Sequence, residues 1–197
     1  VKKDLKEEIA WQGFGSGEVD VVLENWGHPD LVKKYIDEQK TAVDAGLTGN
    51  KGVIGWYVPP WLAKEHPDIT DWNNLNKYAD LFKTSESGGQ GQLLDGDPSF
   101  VTIDAALVKN LKLNYKVVYS GSETALITAF RQAEKQKKPL LGYFYEPQWF
   151  MAEVPLEKAC SSRKGVSTCR VAYEVNNAGG SSTTPRLPVK TLKMPTM

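Results

Sequence analysis

The chain has 197 residues and weighs 21.9 kDa, room for one large domain or two small ones. Its 24 Lys and Arg balance 24 Asp and Glu, so it has no polyelectrolyte drive toward nucleic acid or an anionic membrane, where binding depends on releasing counterions from many phosphate contacts. Hydrophobic residues make up 41%, too many for a disordered chain, and the longest apolar stretch, residues 53–63, is broken by Pro59 and Pro60, short of the ~18–20 residues of a membrane span.

Residues 1–8 (VKKDLKEE) read as a charged, helical start. With no initiator Met and no basic-then-apolar signal region, Val1 inside a helical pattern reads as the product of processing or truncation. Residues 13–17 (GFGSG) predict a turn. They do not form a dinucleotide fingerprint, because the third Gly comes too early and the strand follows the glycines. Residues 19–24 predict that strand. Asp30 is placed to cap a helix over residues 31–45, with Val32 and Ile36 on one face and Gly46 as its C-cap. Residues 52–58 read as a strand that Pro59 and Pro60 end. Thr70 is placed to cap a helix to Phe82, with Leu75, Tyr78, Ala79 and Phe82 at core spacing.

The polar, Gly-rich residues 84–92 (TSESGGQGQ) predict a linker at a domain crossover. Leu93 and Leu94 form a short strand that runs into the loop DGDPSF, and Thr102 opens a helix with Ile103, Leu107 and Leu111 on one face. A strand–helix–strand unit follows. Its first strand is residues 115–119. Ser120 and Glu123 are spaced as a capping box. The helix turns Ala125, Leu126, Ala129, Phe130 and Ala133 inward and ends with Lys135, Lys137 and Lys138 before Pro139. Residues 140–145 are the second strand. Residues 176–197, rich in Gly, Ser, Thr and Pro, read as a loop or frayed tail. Strands alternating with helices predict an α/β protein with largely parallel sheets.

Cys160 and Cys169 lie nine positions apart, a spacing that fits no zinc motif. In an oxidising compartment they close a short loop worth about 2.5–3 kcal/mol; in a cytosolic protein they are two unrelated thiols.

Aromatic residues concentrate after predicted strands in three segments: residues 24–29, 96–100 and 142–149. Ligands of open α/β sheets bind outside the carboxyl ends of the strands. Aromatic loops gathered there make a box whose π-faces attract a quaternary ammonium group, at up to ~2 kcal/mol per desolvated contact. The N–H groups of Val101, Thr102 and Ile103, at the start of the predicted helix, point back into the middle loop, where the helix dipole favours a carboxylate. Each residue also has a plainer reading. The aromatics are core or rim, His28 before Pro29 is a turn residue, Asp95 and Asp97 make Asx-turns rather than a carboxylate pair, and His66 ends a helix. No Ser/His/Asp or Cys/His order marks a nucleophile, and no HExxH, P-loop or CxxC occurs, so no metal or cofactor is expected.

The motifs ENWGHPD, TDWNNLNKYADLF and GQLLDGDPSFVT, followed by a strand–helix–strand unit ending GYFYEPQW, run in order from about Ala10 to Val154. In this order and spacing the chain resembles the glycine betaine/choline-binding proteins of ABC importers. The resemblance implies a periplasmic-binding-protein fold of the second type, with two lobes closing on the ligand. It implies a partial lobe one at residues 1–65, lobe two at 66–158, and a disulfide loop and irregular tail at 159–197. The ligand's trimethylammonium group would sit in a cage of Trp26, Phe100 and Tyr145. Phe100 and Tyr145 stand where many members have Trp, so two faces are smaller. Asp97, Val101, Thr102 and Trp149 are candidates for the carboxylate or the rim, as is His28, which stands nearer the Trp than the His of many members and precedes Pro29 instead of following a Pro. The Cys160/Cys169 pair resembles a disulfide loop of some relatives. The implied function is non-enzymatic capture of glycine betaine, proline betaine, choline or carnitine outside the cytoplasm, for delivery to an ABC permease with its ATPase. Two other readings use the same residues: an osmolyte sensor of the same fold, and a small hydrolase built on His28 with Asp95 or Asp97.

Overall fold

The computed structural model describes residues 5–23, 25, 28–100, 102–159 and 187–193. In chain order it contains helix α1 (Glu7–Ser16), strand β1 (Val21–Val22), helix α2 (Pro29–Val32, continued by a π-helical Lys33–Glu38), strand β2 (Val43–Val58) and helix α3 (Pro60–Glu65). Two 3₁₀ segments follow, Pro67–Thr70 and Trp72–Phe82, then β3 (Gly91–Asp95), a 3₁₀ turn (Pro98–Phe100), α4 (Asp104–Asn110) and β4 (Tyr115–Tyr119). The series ends with α5 (Glu123–Gln136), β5 (Gly142–Glu146), α6 (Phe150–Glu153), β6 (Glu157–Lys158) and β7 (Leu187–Lys193). The chain divides into two units, Val1–Val53 with Arg186–Met197, and Ile54–Pro185; β2 contributes to both.

In the first unit, α1 carries Glu7 and Glu8 in its first turn, where the exposed N–H groups favour negative charge. It ends at Gly17, whose φ of 75° is open to glycine and whose N–H donates to the Gly13 carbonyl. Gly13 and Gly15, expected to form a turn, therefore lie in the last turns of α1. Trp11 and Phe14, three apart on one face, outweigh the ~1 kcal/mol helix cost of each glycine. Both rings are buried, Trp11 stacked on Tyr35 at 5.7 Å between centroids and Phe14 edge-on to Trp11 at 6.2 Å. The strand expected over 19–24 contracts to Val21–Val22, paired antiparallel with β7.

The helix expected to run to Ala45 stops at Glu38, and Asp30 lies inside its first turn with His28 as N-cap residue. Lys40 takes a positive φ of 56° and reverses the chain, and Ala42, 1% exposed, drops into the Trp11–Tyr35 core. Residues 43–52 then form a strand against β7, from Val43 opposite Lys193 to Gly52 opposite Leu187. Gly46, the expected C-cap, sits in that strand at a register shift, with φ 102°.

The second unit is a sheet in the order β2–β5–β3–β4, with β6 antiparallel to β2 at Tyr57 and Val58. β3 runs parallel to both β4 and β5. Its near-continuous burial marks a strand covered on both faces. Leu93 points into one layer, with Trp56, Leu62, Leu75, Phe82, Val108 and Tyr115; Leu94 points into the other, with Leu126, Phe130, Phe144 and Phe150. The alternation of a strand's side chains thus holds α3, the 3₁₀ segments and α4 on one face and α5 with α6 on the other.

Three local expectations shift here. The helix expected from Thr70 is 3₁₀ and is capped by Asp71, which accepts the Asn73 N–H at 3.0 Å. Residues 84–92 are no crossover between units. Ser87 is 1% exposed, its hydroxyl donating to the Thr84 carbonyl (3.1 Å) and accepting the Thr84 N–H (3.0 Å), so the segment is a packed turn inside this unit. The cap of α5 is Ser122, which accepts the Ala125 N–H at 3.1 Å, while Ser120 donates to the Ser122 carbonyl.

Candidate ligand-binding site

The parallel strands β3, β4 and β5 end at Asp95, Tyr119 and Glu146, and the loops beyond them gather at one edge of the sheet. Two backbone hydrogen bonds bind the first two loops together: Ser120 N–H to the Asp95 carbonyl at 2.8 Å, and Gly121 N–H to the Gly96 carbonyl at 3.3 Å.

Phe100 is half-buried at the end of the 3₁₀ turn, where its N–H donates to the Asp97 carbonyl at 2.9 Å. Its ring packs against Gly96. A Cβ there would stand 2.5 Å from the ring, so only glycine permits this seat. The Phe100 ring meets Tyr143 at 6.1 Å between centroids, and Tyr143 meets Tyr145 at 6.2 Å. Tyr143 and Tyr145 are two apart on β5 and share a face. The Tyr145 hydroxyl donates to Glu123 Oε1, which also accepts the Gln148 side-chain amide at 2.7 Å; Gln148 Oε1 in turn accepts the Phe150 N–H at 2.6 Å. Donating a proton to a carboxylate polarises the phenol and enriches its ring in electron density. The three rings and the Glu123 carboxylate thus form one connected run at this end of the sheet.

The loop that carries Phe100 is braced by two aspartates. Asp95, fully buried at the end of β3, accepts the Gly96 N–H at 2.7 Å on one oxygen and the Thr102 hydroxyl at 2.5 Å on the other. Burial raises its carboxyl above the usual range, against the pull of those two bonds. Asp97 accepts the Ser99 N–H at 2.8 Å, the expected Asx-turn. Asp104, at the start of α4, is 4% exposed; burial and the nearby Asp95 charge push its carboxyl up to about 7, against a hydrogen bond from Trp56. Farther along, the Tyr57 hydroxyl donates to Glu146 at 3.1 Å, and burial raises its pKa. Burial lowers that of Lys158, whose ammonium lies 5.8 Å from the Tyr57 ring centre.

Of the residues singled out in the sequence, Phe100 and Tyr145 are joined through Tyr143, a residue that reading did not single out. The i, i+2 spacing along β5 was its available signal. Asp104 carried none, being one more acidic residue in a helix's first turn. Glu123 was read as a cap and serves as a side-chain acceptor. Thr102 precedes α4, which starts at Asp104, and its hydroxyl is engaged by Asp95. Trp149, 63% exposed, stacks edge-on to Phe150 at 6.0 Å and under the Arg131 guanidinium at 5.9 Å. In the first unit, His28 Nε2 lies 3.0 Å from Glu7, and that hydrogen bond raises its pKa. His66 is the C-cap residue of α3, as expected. Trp26, Val101, Cys160 and Cys169 lie outside the described residues. Among the described residues no helix is long and apolar enough to cross a membrane.

The sheet with parallel central strands, covered by helices on both faces and carrying its loops at the carboxyl ends of those strands, is a mixed α/β fold, and solved structures of the periplasmic-binding-protein class match it. One is the glycine betaine, L-proline ABC transporter binding protein ProX from Borrelia burgdorferi (TM-score 0.62, 18% identity, 97% of this chain and 62% of that one). Another is an ABC-transporter choline binding protein in complex with choline (TM-score 0.64, 16% identity, 98% and 61%). A third is lactococcal OpuAC in its closed-liganded conformation with glycine betaine (TM-score 0.57, 18% identity, 98% and 64%). The chain thus spans about three-fifths of the length of these relatives. Residues 2–158 match the model of the substrate binding domain of the ABC-type glycine betaine transport system, and the chain belongs to that family.

Proposed function

We propose that this chain captures glycine betaine or a related quaternary amine osmolyte for an ABC importer, outside the cytoplasm, without chemical turnover. The observation that carries the reading is the run of rings Phe100–Tyr143–Tyr145 at the carboxyl edge of the second unit, backed by Glu123. A methylated ammonium is large and weakly hydrated, so it gains from aromatic faces what it loses little to give up in water. Trp26 joins the proposed cage on its Asn-Trp motif, and the 96–102 loop is the proposed seat of the ligand's carboxylate. Family membership supports a permease with its ATPase as the proposed partners, and an extracytoplasmic location. Glycine betaine and choline are the ligands named for the solved relatives, which supports this substrate class.

Micromolar affinity requires about 8 kcal/mol net. Calorimetric titration with glycine betaine, proline betaine, choline and carnitine tests the reading. Binding of one or more is expected, with Tyr145→Ala and Phe100→Ala each weakening it by roughly tenfold, about 1.4 kcal/mol. Absence of heat with all four ligands, from a folded protein, would overturn it.

A further inference from the structure

Glu123 is the first residue of α5, and its carboxylate accepts two hydrogen bonds on one oxygen, Oε1. One donor is the Tyr145 hydroxyl, near the end of β5; the other is the Gln148 side-chain amide, at 2.7 Å. The Gln148 amide is held at its other end too, because its Oε1 accepts the Phe150 N–H at 2.6 Å. Its orientation is therefore fixed, and its NH₂ faces Glu123. The Tyr145 ring stacks on Phe144 at 5.5 Å between centroids, and the fully buried Phe144 packs edge-on to Phe150 at 5.8 Å. The start of α5, the end of β5 and the turn into α6 thus meet at a single anion.

The first turn of a helix favours a negative charge. The cations of α5 stand farther along it: Arg131 gives two nitrogens to Glu153, at 2.6 and 2.8 Å, and Lys135 lies in the last turn. The charge on Glu123 therefore acts on the phenol that donates to it, pushing electron density into the Tyr145 ring. Of Phe100 and Tyr145, only Tyr145 has a hydroxyl through which a neighbour can act in this way. A phenol ring is a weaker partner for a cation than an indole. A fixed anion at its hydroxyl end strengthens that attraction for a charged group alone; an uncharged group of the same shape gains the contact and nothing more.

We infer that Glu123 is a specificity-determining residue of the proposed site. It holds the Tyr145 ring by its hydroxyl, and it supplies the charge by which that ring tells a methylated ammonium from an uncharged tert-butyl group of the same shape. It acts through Tyr145, as a positioning residue, and the inference rests on the function proposed above. Because both hydrogen bonds fall on Oε1, charge and position can be separated. Glu123→Gln keeps a carbonyl oxygen for both donors and removes the charge. Glu123→Ala removes the charge and both bonds.

The experiment sets two cations against their carbon isosteres on the whole chain: choline against 3,3-dimethylbutan-1-ol, and glycine betaine against 3,3-dimethylbutanoate. Calorimetry reads the cations, and broadening of the tert-butyl proton signal reads the isosteres. Whichever cation binds the wild-type chain is expected to bind Glu123→Gln about tenfold more weakly, while its isostere changes by less than about twofold. The Tyr145 ring signals are expected to stay near their wild-type positions in Glu123→Gln and to move in Glu123→Ala. In a Tyr145→Phe background, with no hydroxyl to hold, Glu123→Gln is expected to weaken the cation by less than about threefold. Equal losses for cation and isostere in Glu123→Gln, or no loss for either, overturn the inference. Tyr145 signals that move alike in Glu123→Gln and Glu123→Ala overturn the role of the charge. A Glu123→Gln effect undiminished in Tyr145→Phe overturns the route through that ring. All three results leave wild-type binding intact. A folded wild-type chain that binds neither choline nor glycine betaine overturns the proposed function, and this inference with it.

Discussion

At the scale of single residues, several side chains take roles set by one neighbour. His28 is held by Glu7 at 3.0 Å, which raises its pKa. The folded state therefore binds this proton more tightly than the unfolded chain. The stabilisation is complete below the unfolded value near about 6.5 and is lost as pH rises through the higher folded value. Glu7→Gln is expected to return His28 toward its ordinary titration, read from its imidazole NMR signals. Gly96 makes the converse point. Phe100 occupies the space that a side chain would need, so Gly96→Ala is expected to displace the ring and weaken ligand binding about as much as Phe100→Ala, with little change in thermal stability.

At the scale of elements, the strand–helix–strand unit 115–146 was the most legible part of the sequence, and α5 the clearest element in it. Leu126, Phe130 and Ala133 recur at helical spacing and are buried at 0%, 0% and 4%. The cap was misjudged by two residues, since Ser120 and Ser122 both precede Glu123 and only backbone geometry separates them. Ser122 has extended φ and ψ and receives the Ala125 N–H. Ser122→Ala is expected to cost ~1 kcal/mol in urea unfolding, and Ser120→Ala only a few tenths. The helix predicted over 31–45 failed for a different reason. It stops at Glu38, and its last three residues, 43–45, open the strand that pairs with β7 from the far end of the sequence. Local periodicity holds no trace of that partner. Residues 84–92 failed similarly, since Gly-rich composition marks a turn equally well when its serine is buried.

At the scale of the whole molecule, the shifted groups combine into a pH profile. Asp104, pushed up to about 7 by burial, binds its proton more tightly when folded, so stability falls as pH rises from about 4 to about 7. The slope is at most ~1.4 kcal/mol per pH unit, and Asp104→Asn is expected to remove it from urea-unfolding midpoints. Asp68, held by Tyr78, and Glu153, held by Arg131, are depressed instead. Their contribution is present above the unfolded carboxyl value near about 4 and is lost as pH falls through the lower folded values. Thermal midpoints measured from pH 3 to 8 are therefore expected to peak on the acid side of neutrality.

The neutral charge balance, the α/β class and the better helices follow from the amino-acid order, because each depends on composition or on spacing within one element. The aromatic segments behind the proposed cage were visible in the same way, as residues clustered after strands. Which rings meet was decided only by the tertiary structure. Phe100 reaches Tyr143 because β3 and β5 lie side by side, with Leu94 opposite Gly142. The Asp104 carboxyl is pushed up to about 7 because folding buries it and adds the Asp95 charge. Burial and proximity between residues of different elements belong to the packed chain, and a linear pattern does not contain them.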